Sequence, residues 1–182
     1  SEGDGYWFAL IRNVEPGHQY KYLIETADGQ LLEKNDPRAR AITSSDKGFS
    51  VVVDNNFDWQ NNKAFKMPPR EDQVIYELHV GTFNRPDAAT SGTFDSAIEK
   101  LDYLSKLGIN VIELMPITSM AFSNGWGYAP NHIYSVESML GGRHGLMKFV
   151  RACHARGIGV VLDVVYNHFY GDTDLWQFDG WN

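Results

Sequence analysis

Hydrophobic and polar residues follow two different patterns along the chain. Up to residue 58, short apolar runs stand between turn residues, which is typical of antiparallel strands. Asp28-Gly29 is a hairpin signal, because both residue types tolerate the backbone of a tight turn. The sequence therefore predicts a small β module at the front, with strands at residues 6–10, 20–24 and 48–53.

From residue 74 onward, apolar runs of strand length alternate with apolar residues at helical spacing. We predict strands at 74–80, 109–115 and 158–165, a first helix capped by Thr93 and stopped by Gly108, and a second helix that stops at Gly157. Strands this apolar, each separated from the next by a helix, are typical of a parallel sheet covered on both faces, so an α/β fold is predicted. The apolar helix positions are Phe94, Ala97, Ile98, Leu101, Leu104 and Leu107, then Leu146, Phe149, Val150 and Cys153.

The change of pattern divides the chain. A polar run and the pair Pro68-Pro69 suit a linker over residues 59–73, which separates a β module at 1–58 from an α/β region at 74–182. A closed (β/α)₈ barrel needs roughly 250 residues, whereas the α/β region holds three predicted strands. The chain is therefore predicted to be the front of a larger enzyme.

The composition narrows the class of protein to which the chain can belong. The chain has 16 Lys+Arg against 23 Asp+Glu and a formal net charge of −7, which argues against a nucleic-acid binder. Its 43% apolar content is enough for a core. The single Cys153 forms no internal disulfide, so a reducing, cytoplasmic setting is expected. We predict no secretion signal and no membrane span.

A carboxylate stands inside the third predicted strand. Asp163 stands in the run 160–165, at the end of a strand that faces the active site in parallel barrels. A buried carboxylate needs a cationic or hydrogen-bonding partner. Two interpretations stay open: a structural Asp bonded to backbone amides, or an active-site group with an Arg partner elsewhere in the barrel.

Residues 125–132 are predicted to lie in a long loop after the second strand. Trp126 and Tyr128 flank a glycine there and could present a ring face to a sugar, or they could simply cover the barrel rim. Asp172, Asp174 and Asp179 follow the third strand in a polar loop and are interpreted as solvated acids.

Together these segments resemble a known family. The motifs are Ile75 to Phe83, Gly92-Thr93-Phe94, Ile112 to Pro116, Trp126-Gly127-Tyr128 and Asp163 to His168. In this order they resemble the α-amylase family, glycoside hydrolase family 13, most closely its glycogen branching enzyme and maltooligosyltrehalose trehalohydrolase group. The front resembles the immunoglobulin-like carbohydrate-binding module, family 48 type, that precedes the barrel there, without its first strands.

The resemblance implies a retaining hydrolase or transglycosylase acting on α-1,4/α-1,6-glucans, built on a (β/α)₈ TIM barrel of which the first three βα units lie here. It implies that Asp163 pairs with an Arg on the next strand, that His168 hydrogen-bonds the sugar at the cleavage subsite, and that Tyr128 stacks on that sugar. Trp126 joins them as a substrate-binding candidate. Asn167 matches a calcium-ligating position of true α-amylases, but the most similar groups lack that ion, so neither a metal nor a cofactor is expected.

The family's nucleophile and acid follow strands four and five, so neither is expected within residues 1–182, and this segment alone is predicted to be inactive. The six residues from Asp163 to His168 depart from the pattern of branching enzymes, which favours the trehalohydrolase-like or amylase-like side. The expected partners are an α-glucan and, at the open barrel edge, the rest of the chain or an associating chain, with no nucleic acid and no membrane.

Two other classes are considered. A metal-dependent barrel hydrolase would use histidines with Asp163, but no metal-binding spacing is present. A non-catalytic glucan-binding module with a barrel remnant would use an aromatic platform, for which core aromatics of a bare β sandwich are the simpler interpretation. The candidate histidines are His79, His132, His144 and His168, and the platform candidates are Trp7, Tyr20, Tyr22 and Trp59.

Overall fold

The structure is a computed structural model that describes residues 3, 5–43, 48–121, 126–171 and 173–181. Its front part, here called the front β region, consists of four short strands in two antiparallel pairs, β1 with β4 and β2 with β3. These strands are β1 Gln19–Tyr20, β2 Tyr22–Glu25, β3 Leu31–Lys34 and β4 Ser50–Val51.

The predicted hairpin at Asp28-Gly29 is confirmed, since it joins β2 to β3. Thr26 N donates to Gln30 O at 2.9 Å, and Gly29 takes the positive φ of 82° that closes the turn. The predicted strand at 20–24 is divided at Lys21, because β1 and β2 pair with different strands.

The strand predicted at residues 6–10 is wrong. Tyr6 makes an isolated bridge with Gly3, and residues 7–10 have no strand partner among the described residues. Trp7 is 82% exposed, as expected for an apolar run that no described element covers. Within the strand predicted at 48–53, the structure forms the two-residue strand β4, Ser50–Val51.

Residues 59–73 pack against the α/β region. They include two 3₁₀ helices, Gln60–Ala64 and Arg70–Asp72. Phe65 stacks on the ring of His154 with centroids 3.9 Å apart, and Met67 lies against Gly159. These contacts join the segment to the following helix and sheet.

Three parallel strands form the main sheet, as predicted. The order is β5, β6, β9, and Ile75, Val111 and Gly159 are aligned across it. The strands are β5 Ile75–Leu78, β6 Val111–Leu114 and β9 Gly159–Leu162.

The described part of the chain contributes four α-helices beside this sheet. The first predicted helix is interrupted at Glu99-Lys100 and forms two helices, whereas the second is continuous. Thr93 is confirmed as a cap: its hydroxyl accepts from Ser96 N at 3.2 Å, and Ser96 Oγ accepts from Thr93 N. The helices are α1 Val80–Phe83, α2 Phe94–Ile98, α3 Leu101–Lys106 and α4 Gly142–His154.

The hydrophobic core lies between one face of the sheet and these helices. Phe94 and Phe149 are fully buried with ring centroids 5.8 Å apart, and each such side chain contributes roughly 1.5–3 kcal/mol by burial. The opposite face is covered only in part by the described residues, which corrects the prediction of a sheet covered on both faces: Val111 is fully buried there, whereas Ile75 and Val161 are 51% and 39% exposed. The core also contains Leu78, Val80, Ala97, Leu101, Leu104, Ile112, Leu114 and Ile158.

An antiparallel hairpin follows β6, formed by β7 Thr118–Met120 and β8 Pro130–Val136. The sequence predicts a loop over 125–132, which is wrong for residues 130–132. The pairing shifts register between successive residues of β7, so the two-residue alternation that reveals a strand is lost. The buried carboxylate of Glu137 holds the hairpin by accepting from Met120 N and Met139 N.

None of the helices in the described ranges is long and apolar enough to cross a membrane.

Candidate functional site

The carboxyl ends of the three parallel strands form the edge where the candidate residues collect. His79 follows β5, Met115 follows β6 and Asp163 follows β9. Backbone hydrogen bonds continue past the strands, from Met115 N to Leu78 O at 3.0 Å and from Asp163 N to Leu114 O at 2.9 Å. The parallel pairing therefore places these three residues at the same level along the strand direction, at one edge of the sheet.

Asp163 and Tyr128, predicted separately, are in direct contact. Tyr128 Oη donates to Asp163 Oδ2 at 2.9 Å, although the two residues are 35 positions apart. This hydrogen bond, followed by desolvation and the Asp163 charge, raises the pKa of Tyr128 above its ordinary value. Asp163 is half-buried, and its described side-chain partner is a phenol rather than backbone amides.

Two further carboxylates line the same face of the sheet. Glu77 on β5 and Glu113 on β6 are aligned partners in the parallel ladder, and both charges add to the raised pKa of Tyr128. Neither is among the site residues predicted from the sequence, although each interrupts an apolar strand. A face with these groups repels anions and favours ligands rich in hydroxyl groups, which can hydrogen-bond to carboxylate and phenol.

Trp126 stands on a tight turn beside this edge. Its φ is 51° and that of Gly127 is 85°, both in the left-handed region. A Cβ on Gly127 would lie 2.3 Å from Pro116 O, so only glycine fits there. The Trp126 ring is 5.9 Å from the ring of His79 and is 56% exposed, which leaves area for a ligand. Gly125, in the same predicted motif, lies outside the described residues.

Asn167 and His168 are exposed, and neither side chain contacts Tyr128 or Asp163 through a described hydrogen bond. Their segment lies next to β8, because Tyr170 N donates to Pro130 O at 3.0 Å. The structure thus brings Tyr128 and Asp163 together and leaves Asn167 and His168 without a side-chain partner in the described part of the chain.

The candidate histidines for a metal site lie on separate elements. His79 precedes α1, His132 lies buried in β8, His144 is in α4, and His168 follows β9. Burial lowers the pKa of both His79 and His132. Across the ranges that the structure describes, no three His, Cys, Asp or Glu side chains are grouped so that they could hold a metal ion.

The four platform aromatics are also divided. Tyr20 contacts Tyr22 with ring centroids 6.0 Å apart, while Trp59 contacts Phe57 at 4.8 Å. No described ring contact joins these two pairs, and a single platform formed by the four residues stays a prediction.

Asp174 is not a solvated acid, which corrects the sequence prediction. Its side chain is only 11% exposed, and Oδ2 accepts from both N and Nδ2 of Asn35 in the front β region. Asn35 is 139 residues away, so no local pattern could reveal the contact. Asp179 is exposed as expected and accepts from Trp181 N, and Asp172 lies outside the described residues.

Parallel βα units with polar groups at the carboxyl ends of the strands are typical of α/β proteins that build their sites at this edge, (β/α)₈ barrels among them. Residues 77–179 match the family model described as "Alpha amylase, catalytic domain". The chain belongs to the α-amylase family.

Individual relatives agree with this assignment. The chain is 56% identical over 171 residues to a malto-oligosyltrehalose trehalohydrolase of Mycobacterium tuberculosis, covering 91% of this chain and 27% of the relative. It is 35% identical over 185 residues to a 1,4-alpha-glucan branching enzyme of Bacillus cereus, covering 97% and 29%. A Salmonella typhimurium crystal structure designated an alpha amylase superposes with a TM-score of 0.81 at 39% identity, over 96% of this chain and 29% of that one. The chain therefore spans less than a third of the length of these relatives.

Proposed function

We propose that this chain belongs to a retaining enzyme that hydrolyses or rearranges α-1,4/α-1,6-glucans. The observation that carries the proposal is the contact between Tyr128 and Asp163 at the carboxyl edge of the parallel strands, within the region that matches the α-amylase catalytic domain. The names of the relatives, which specify maltooligosyl and glucan substrates, support the substrate class.

The proposed site has a role for each candidate. Tyr128 stacks on the sugar at the cleavage subsite, and Asp163 orders the site through Tyr128 and an Arg from the next strand. His168 and Asn167 present hydrogen-bonding groups to the same sugar, and Trp126 offers a ring face beside it. Support comes from the exposure of Trp126, Asn167 and His168 and from the hydrogen bond that fixes Tyr128.

The proposed chemistry needs two carboxylates about 5 Å apart, one to form a glycosyl enzyme and one to act as acid and base. We assign both to strands outside residues 1–182, so this segment binds and orders the sugar but does not cleave it. No metal or cofactor enters the proposal.

The proposed domain organisation is a β module at 1–58, of the immunoglobulin-like carbohydrate-binding type, a linker at 59–73, and the barrel from residue 74. Support comes from the change from antiparallel pairs to the parallel sheet on either side of the 3₁₀ helices. The cytoplasmic setting stays a prediction from the single cysteine.

The outer edge of β9 is the proposed docking place for the next barrel strand, supplied by the rest of the chain or by an associating chain. Leu162 and Val164 are 44% and 47% exposed there, and the strand pairs only with β6 among the described strands. Apolar strand edges with unpaired backbone groups bind a further strand readily.

Product analysis tests the proposal. The full-length protein is incubated with amylose and with a maltooligosaccharide capped by trehalose. Released trehalose indicates a trehalohydrolase, new α-1,6 branches indicate a branching enzyme, and shorter maltooligosaccharides indicate an amylase. A pure, folded protein that leaves both substrates unchanged contradicts the proposal.

A further inference from the structure

A buried residue of the front β region donates hydrogen bonds to the segment that carries His168. Asn35 is fully buried, and its backbone N and its Nδ2 donate to Asp174 Oδ2 at 3.0 and 2.6 Å. Asp174 lies in what we call the post-β9 segment, which is residues 166–171 and 173–176. The contact therefore joins the front of the chain to a segment that begins three residues after Asp163.

Asn35 is itself fixed in orientation by its neighbours. Its Nδ2 also donates to Gly48 O at 2.7 Å, and its Oδ1 accepts from Ser50 Oγ at 2.9 Å. The Ser50 hydroxyl in turn accepts from Asp36 N. Because both ends of the amide are engaged, Asn35 presents its donors to Asp174 as a rigid unit.

Asn35 supplies both hydrogen bonds that Asp174 receives from described residues. The other carboxylate oxygen, Oδ1, lies 3.6 Å from His132 Nε2, beyond hydrogen-bonding distance, and both atoms are buried without a hydrogen-bond partner. Charged groups facing His132 are Asp174 and Asp36, but burial outweighs them and lowers its pKa. His132 is therefore neutral near pH 7 and forms no ion pair with Asp174. The position of the Asp174 carboxylate is then set by its hydrogen bonds from Asn35.

Further hydrogen bonds between described residues join the post-β9 segment to the rest of the fold. Lys34, next to Asn35, donates through Nζ to Trp176 O at 2.8 Å, and Tyr170 N donates to Pro130 O. His168 lies between Asp163 and these hydrogen bonds. Since its own side chain has no described partner, its position is set by the backbone that Asn35, Lys34 and Pro130 hold.

We infer that Asn35 is a positioning residue. Through Asp174 it holds the post-β9 segment so that His168 reaches the sugar. The front β region then contributes to the geometry of the site. The catalytic consequence rests on the proposed function of His168, whereas the holding of the segment does not. The two parts are therefore measured separately.

The full-length protein with Asn35→Ala tests the inference. Amide hydrogen exchange across the post-β9 segment is expected to rise about tenfold, because the charged hydrogen bond from Asn35 Nδ2 to Asp174 is lost, while the bond from the Asn35 backbone N remains. With amylose as substrate, kcat is expected to fall about tenfold with KM changed less than twofold, because small misplacements mainly cost transition-state contacts.

Three variants separate positioning from general damage. Asn110→Ala is the matched control, since Asn110 also makes two hydrogen bonds between segments, to Val74 N and Asp72 O, but away from the site. Asp174→Asn keeps an oxygen that can accept from Asn35 and is expected to retain most of the activity, whereas Asp174→Ala is expected to behave like Asn35→Ala. If Asn35→Ala does not fold, Asp174→Ala takes its place, since it removes the acceptor of both hydrogen bonds from Asn35.

The possible outcomes bear on the two parts of the inference, the holding of the post-β9 segment and its effect on catalysis. Unchanged exchange in folded Asn35→Ala, or in Asp174→Ala when that variant replaces it, overturns the inference. Faster exchange with wild-type kcat and KM overturns the positioning role. Equal loss in Asn110→Ala assigns the effect to stability and also overturns it. If the wild-type protein has no activity on glucans, the proposed function fails, and hydrogen exchange alone then shows whether Asn35 holds the segment.

Discussion

Replacing Gly127 with alanine is expected to damage the turn that presents Trp126 and Tyr128. Gly127 has a φ of 85°, where an L-residue costs about 1–2 kcal/mol. The new Cβ would also lie 2.3 Å from Pro116 O and 2.7 Å from Pro116 Cβ, and such overpacking costs about 1–3 kcal/mol. We expect a net loss of about 1–4 kcal/mol in the free energy of unfolding, after the gain of up to about 1 kcal/mol from a stiffer unfolded chain.

Gly108→Ala is the matched control. Gly108 has a similar φ of 91°, but a Cβ there meets no atom within 4 Å. Both variants carry the same backbone strain and the same effect on the unfolded chain, so the clash with Pro116 is the difference between them. Gly127→Ala is expected to be less stable than Gly108→Ala by about 1–3 kcal/mol.

Urea denaturation of the full-length protein, with the slope compared among variants, measures this difference. A second measurement follows the phenol of Tyr128 by carbon-13 NMR during a pH titration. In Gly127→Ala the turn moves away from Asp163, so the raised pKa of Tyr128 is expected to fall towards its ordinary value. Equal stability of the two variants, together with an unchanged Tyr128 titration, would refute the reasoning.

In the full-length enzyme, His168→Ala is expected to lower kcat/KM on the order of 10²-fold, because it removes a hydrogen bond that strengthens in the transition state. Steady-state kinetics measures this, and unchanged kinetics in a folded variant would remove His168 from the site. Asp163→Asn is expected to lower the pKa of Tyr128, since the hydrogen bond to the Asp163 carboxylate is the largest cause of its raised value. The folded pKa lies above the unfolded value of about 10, so this contact contributes fully below about pH 10 and is lost as pH rises through the folded pKa. A Tyr128 titration unchanged by the substitution contradicts that assignment. The 182-residue chain expressed alone is expected to associate and to show no turnover of soluble starch, because the edge of β9 and the proposed carboxylates need further strands. Size-exclusion chromatography and a reducing-sugar assay check this, and a monodisperse monomer that releases sugar would contradict it.

Local pattern was sufficient for the elements whose signals lie within a few residues. The three parallel strands, the cap at Thr93 and the turn at Asp28-Gly29 all follow from the immediate neighbours of those residues. A cap bonds to an amide three positions away, and a tight turn is chosen by its own φ values. The same reasoning ranked Asp163 and Tyr128 as site candidates, because an acid ending an apolar strand and a ring beside glycine are unusual in themselves.

Local pattern was insufficient where distant segments decide the structure. The apolar run at residues 6–10 resembles a strand, but no described partner pairs with it. The hairpin of β7 and β8 was missed because its shifts of register remove the alternation that marks a strand. In both cases the sequence specifies a tendency, and pairing with another segment settles the outcome.

The sequence by itself determined the order and type of the main elements, the family resemblance and the residue types available at the carboxyl edge. The tertiary structure alone decided which of these residues meet. Tyr128 reaches Asp163 across 35 positions, and Asn35 reaches Asp174 across 139. Such contacts depend on how separate elements pack. The same packing buries Asp174, which the sequence suggests is a solvated acid, and places it where Asn35 donates two hydrogen bonds to it. Hydrogen bonds between distant residues leave no periodic trace in a sequence, because each partner is constrained only by the other.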